Sequence, residues 1–182
     1  MTNDEYLQQK VVFKLWHGTS KENADHIFKT GQWKMTIDDT KLFFGSGIYF
    51  MLNNKSLACL WAKQKKFEYP CSILCFVEVE RKFIFDLATD QAYKMYETFL
   101  KRVTNSKPSS SIINFICDKM NAKVVVGYYS LGALNKAQEN EKKCRNYAVK
   151  IEIQVVVRDP SLIQIKSVED CNQKRERSEG NV

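Results

Sequence analysis

Glycine is scarce in this chain, seven among 182 residues, and three of the seven fall in two short segments that also carry a histidine and a tyrosine. The first segment is Leu15-Trp16-His17-Gly18-Thr19 and the second is Phe44-Gly45-Ser46-Gly47-Ile48-Tyr49-Phe50. Glycine so placed marks backbone that must approach something closely. The apolar run over residues 11–16 predicts a strand. Thr19 with Glu22 predicts a T-x-x-E capping box opening a helix whose apolar face is Ala24, Ile27 and Phe28 and which Gly31 stops. The second segment has no matching strand-to-helix βαβ unit around it, which excludes a dinucleotide fingerprint, and it has no P-loop lysine. Neither common phosphate cradle applies.

The remaining periodicity predicts helices over residues 55–65 (Leu57, Leu60 and Trp61 recurring), 90–103 and 110–120. Strands are expected at 72–79, at 82–86 continuing the sheet beyond a turn, at 123–127 and 147–158, and a short one at 162–165. Strands dominate both ends with helices between, an α+β pattern with a largely antiparallel sheet. There is no internal repeat and no linker, so one domain is expected over residues 1–168, followed by a disordered polar tail over 169–182.

Composition constrains partners more than fold. Hydrophobic residues make up 44% and charged residues 27%, ordinary values for a globular chain, and a chain of this size buries about 70% of its unfolded surface. No apolar run approaches a spanning helix and no secretory signal opens the chain, so an intracellular, cytoplasmic or nuclear monomer without a membrane partner is expected. The six cysteines (Cys59, Cys71, Cys75, Cys117, Cys144, Cys171) are scattered with no CxxC pair and read as reduced, buried small hydrophobes; a metal site is not expected. The net charge of +7 favours acidic partners, among them NAD, ADP-ribose and nucleic acids. His26, with no motif around it, reads as structural.

At the two glycine segments the sequence resembles the catalytic domain of the poly(ADP-ribose) polymerase (PARP) family, the diphtheria-toxin-like ADP-ribosyltransferases. The resemblance runs through L-W-H-G-T, then Ala24, Ile27 and Gly31, then F-G-x-G-I-Y-F followed at the family's spacing by Lys55-Ser56. It ends in Asn146-Tyr147-Ala148-Val149 and Gln154-Val155. It implies an ADP-ribosyltransferase fold, a split antiparallel β-sheet core flanked by helices, with NAD as the substrate and no metal. His17 would hydrogen-bond ribose and orient NAD, and the Gly18 backbone and Ser56 would hold the nicotinamide carboxamide. Tyr49 would lie against the nicotinamide ring, a contact worth about 1–3 kcal/mol. Thr19, Gly47 and Phe50 complete the implied NAD-contacting set.

The pattern departs from the family at two places. Asn146 stands where polymerases carry a catalytic glutamate; an amide still accepts a hydroxyl proton but has no charge, and such a loss typically costs 10²–10³ in rate, roughly 3–4 kcal/mol. The resemblance then implies transfer of a single ADP-ribose, with release of nicotinamide, to a protein side chain or nucleic acid. Glu141, in the Glu139-Asn140-Glu141 loop, is the replacement carboxylate if the register shifts, while Glu152 reads as a solvent-facing partner of Lys150. Cys59 stands where the family usually carries a second stacking tyrosine, with Trp61 nearby as a substitute. A silent module binding NAD, ADP-ribose or RNA, and an NAD glycohydrolase, are the alternatives. Acceptor choice is expected to reside in the loops around residues 32–42 and 134–144.

Overall fold

The computed structural model describes residues 2–37, 43–102, 110–130 and 151–173. Over these residues the protein is α+β, with seven strands in one mixed sheet and five α-helices. The helices are α1 (Asn3–Gln8), α2 (Lys21–Thr30), α3 (Lys55–Gln64), α4 (Asp90–Arg102) and α5 (Ser110–Met120). The strands are β1 (Lys10–Ser20), β2 (Ile48–Leu52), β3 (Pro70–Glu80), β4 (Ile84–Asp86), β5 (Val124–Ser130), β6 (Ile151–Val157) and β7 (Ile163–Asp170). Their order is β4-β5-β6-β2-β1-β3-β7, antiparallel throughout except for the β4–β5 pair. Among the described residues no helix is long and apolar enough to cross a membrane.

The connection from β3 to β4 shapes this sheet. Five strand spacings separate the two in the order, roughly 24 Å along a flat sheet. The link between them is a three-residue 3₁₀ turn, Arg81–Phe83, so the chain spans at most about 14 Å from Glu80 to Ile84. The sheet must therefore curl until its two edges approach. Residues 82–86, expected to continue the sheet beyond a turn, do so as β4 at the opposite edge.

Curling produces two apolar faces. On the inner face Phe13, Leu15, Ile48, Phe50, Ile73, Val77, Val124 and Val155 pack together with Ala24 and Ile27 of α2. On the outer face Phe44, Phe85, Val125 and Val156 pack against Ile112, Ile113 and Ile116 of α5, with Tyr49 at the margin. A smaller outer cluster joins Trp16 and Met51 to Leu57 and Ala58 of α3.

Several local expectations shift. β1 keeps its pairing with β3 as far as Ser20↔Pro70, so the chain leaves the strand one residue later than the T-x-x-E pattern implies. Ser20, not Thr19, caps α2 by accepting from the Asn23 amide at 3.2 Å, and Thr19 is buried in the ladder opposite Cys71. Gly31 ends α2 at φ 67°, but Phe28 stays exposed. Glu152 is buried rather than solvent-facing, and accepts from Asn54 Nδ2 at 2.8 Å. β7 runs to Asp170, two residues into the expected tail.

The cysteines need one correction. Cys71, Cys75 and Cys117 are free and buried, and burial pushes the Cys75 thiol up to about 12 and that of Cys117 to about 11, so both stay protonated. Cys59 and Cys171, read as reduced, form a disulfide with a Cα–Cα distance of 5.2 Å, inside the usual range for such a bond. They lie 112 residues apart, a pairing that no spacing rule reveals.

Candidate functional site

The two glycine segments meet where the sheet divides. β1 and β2 are paired at Leu15↔Leu52 and Trp16↔Met51 and no further. Beyond that point β1 stays with β3 to Ser20, while β2 stays with β6 to Ile48↔Val157. Continued in register, Gly18 would face Tyr49. Instead the two strands separate there, and His17 spans the gap: its Nδ1–H donates to the Tyr49 carbonyl at 2.8 Å. A side-chain bond thus stands in for the next rung of the ladder.

This bond fixes the histidine's chemistry. With the proton on Nδ1, the Nε2 lone pair is an acceptor. Trp33 and Phe50 hold the ring from two sides, with centroids 5.4 and 5.5 Å away and both edge-on. Such contacts are worth about 0.5–1.5 kcal/mol each. Burial among these rings holds the His17 pKa below its usual value, against the pull of the Tyr49 carbonyl, so the ring is neutral at neutral pH. Trp33 is carried in by the stretch after α2, which is pinned by two hydrogen bonds exchanged between Thr36 and Gly47 at 3.1 and 3.0 Å.

Tyr49 points to the outer face. Its hydroxyl donates to the Gly45 carbonyl at 2.7 Å and accepts from the Phe44 amide at 3.3 Å. Burial raises its pKa to about 12, so it remains a neutral phenol. The loop it bonds is also held from α5: Asn114 accepts from the Ser46 amide at 2.7 Å and donates from Nδ2 to the Ser46 hydroxyl at 2.9 Å. Gly45 sits at φ 82°, and a Cβ there would lie 2.6 Å from Asn114 Oδ1, so both backbone shape and contact require glycine.

Across the split, Gly18 serves α3. A Cβ on Gly18 would lie 2.0 Å from the Ala58 carbonyl oxygen, so the helix backbone rests directly on β1. Ser56 is exposed on the first turn of that helix, which Asn54 caps by accepting from the Leu57 amide at 3.0 Å. Helices α3 and α5 thus flank the split on the outer face. His17 lies at the split on the inner face, against Phe50, and Tyr49 on the outer face.

Of the residues expected from sequence, His17, Gly18, Gly47, Tyr49 and Phe50 are gathered around the split. Thr19 is buried, paired with Cys71 on the stretch of β1 that has already left β2. Asn146 and Glu141 lie outside the described residues, as does the loop over 134–144. Sequence reasoning missed Trp33, Asn114 and Asn54. Trp33 carries one faint signal, an indole two residues after a helix stop, whereas nothing around Asn114 marks it. Among the described residues no three His, Cys, Asp or Glu side chains converge as a metal site.

No family model matches the chain, and no curated protein is significantly similar to it.

Proposed function

We propose that the chain has the ADP-ribosyltransferase fold of the PARP catalytic type and transfers a single ADP-ribose from NAD to a protein or nucleic-acid acceptor, releasing nicotinamide. The observation that carries this reading is the His17 arrangement: a neutral imidazole whose donor is committed to the Tyr49 carbonyl and whose Nε2 is left to accept from a hydroxyl. A ribose hydroxyl is a fitting donor. The surroundings suit the rest of NAD, because the Tyr49 ring offers an aromatic face to a cationic nicotinamide and the divided strands leave backbone amide geometry at Gly18 for a carboxamide.

In this reading NAD supplies the ADP-ribosyl group and the nicotinamide leaving group, and the chain's residues bind and orient it. His17 fixes the ribose, Gly18 and Ser56 the carboxamide, and Tyr49 the ring. Asn146, aligned with the family's catalytic glutamate, carries no charge with which to activate an extending hydroxyl, which favours one transfer over polymer growth. A second reading, a module that binds NAD or ADP-ribose without transfer, is favoured by one observation. Cys59, at the position of the family's second stacking tyrosine, is bonded to Cys171 and supplies no ring.

The test is incubation of the chain with NAD labelled on the adenylate, beside His17→Ala checked for folding by circular dichroism, reading macromolecular label and released nicotinamide. Discrete label lost in His17→Ala is expected. Free ADP-ribose alone would indicate hydrolysis, and NAD binding with neither product would leave the binding module.

A further inference from the structure

α3 is fastened to β7 at two points. Lys55 Nζ pairs with Glu169 Oε2 at 2.5 Å, and Cys59 is bonded to Cys171. The spacings match: four helical residues advance about 6 Å and two strand residues about 6.6 Å. Glu169 and Cys171 therefore meet Lys55 and Cys59 one turn apart. Beneath the helix runs a row of cross-strand neighbours, Gly18, Ser72 and Glu169. Glycine and a fully buried serine let α3 settle close to the sheet, with Ala58, next to Cys59, directly on Gly18.

We propose that Cys59–Cys171 is a reversible redox clasp that sets how firmly α3 is held over Gly18, and through that contact how tightly the neighbouring split holds its ligand. The second half rests on the NAD reading above. The clasp has an accessible side: Cys59 is buried, but Cys171, just beyond β7 and held by its amide to the Pro70 carbonyl at 3.0 Å, is half-exposed. A dithiol reductant attacks the Cys171 sulfur as thiolate, the S–S bond breaks, and Cys59 leaves as a thiolate that takes a proton. The reductant's second thiolate then attacks the mixed disulfide and releases Cys171 as a thiol. Two electrons and two protons pass to the protein and the dithiol becomes a cyclic disulfide. Of the two fastenings to β7, reduction leaves the Lys55–Glu169 pair, which is partly exposed and therefore weak.

The experiment compares the full chain after mild oxidation with the same chain in excess dithiothreitol and with Cys171→Ser. Alkylation and peptide mass mapping report the state of Cys59 and Cys171, amide exchange reports α3, and calorimetry reports NAD binding. The expected result is a bridged pair in the oxidised chain, roughly tenfold faster exchange over residues 57–62 on reduction, and several-fold weaker NAD binding, with Cys171→Ser matching the reduced chain. Exchange that is the same in both states, or a pair that stays unbridged under oxidant, overturns the clasp. Faster exchange with unchanged NAD affinity overturns its link to the site. Faster exchange with NAD bound in neither state supports the clasp and counts against the NAD reading alone.

Discussion

His17 donates from Nδ1 to the carbonyl of Tyr49 at the point where their two strands part, so a single hydrogen bond both bridges the split and selects the histidine's tautomer. Burial of the ring, rather than this bond, disfavours the charged form. Because burial lowers the folded pKa, the unfolded chain binds more protons between that value and about 6.5. Stability from this residue is then fully present above about pH 6.5 and falls as pH drops through the window. Urea midpoints of the wild type should decline more between pH 7.5 and 5 than those of His17→Asn. If NAD binds as proposed, its affinity should decline over the same range, because a proton on Nε2 removes the acceptor. Equal pH slopes for both chains would contradict this.

Tyr49 separates ring from hydroxyl. Tyr49→Phe removes the bond to the Gly45 carbonyl and should cost about 1 kcal/mol of stability. If the ring face is what a ligand uses, Tyr49→Phe keeps NAD affinity within a few-fold, while Tyr49→Ala loses about 1–3 kcal/mol of binding, roughly five- to 150-fold. Titration calorimetry on both variants decides it.

Gly18→Ala places a methyl against helix backbone that has no rotamer with which to yield. Overpacking of this kind costs about 1–3 kcal/mol. A lower urea midpoint is expected, with faster amide exchange in α3. An unchanged midpoint would mean that the helix does not rest on β1.

Ser72 is fully buried between Gly18 and Glu169, and its hydroxyl has no hydrogen-bond partner among the described residues. A stranded hydroxyl costs about 1–3 kcal/mol, so Ser72→Ala should be neutral or stabilising. The gain would be up to about 12 °C in melting temperature, since 1 kcal/mol corresponds to about 2–4 °C in a chain of this size. A clear drop in melting temperature would show that the hydroxyl has a native partner.

Local elements were legible in the sequence because short-range periodicity encodes them. The apolar residues Ile113, Phe115 and Ile116 place α5 without any knowledge of its neighbours, although Phe115 stays exposed. Long-range relations were not legible. Glu152 read as solvent-facing because strand alternation says nothing of Asn54, 98 residues away, which supplies its hydrogen bond. The Cys59–Cys171 bond was hidden for the same reason, with Cys171 in a polar stretch resembling a tail. At the site, the glycines announced close approach but not to what. Gly18 meets a helix and Gly45 meets Asn114, and neither partner is near in sequence.

The strand order also bears on synthesis. β2 carries Tyr49 and Phe50 and lies between β1 and β6. Its neighbour β1 is translated before it, but Ile151 of β6 follows Leu52 by 99 residues (151 minus 52). At roughly 5–20 residues per second, a ribosome needs about 5–20 s to deliver the missing partner. Throughout that interval the nascent chain leaves the backbone N–H and C=O groups on the far edge of β2 as an open template for pairing.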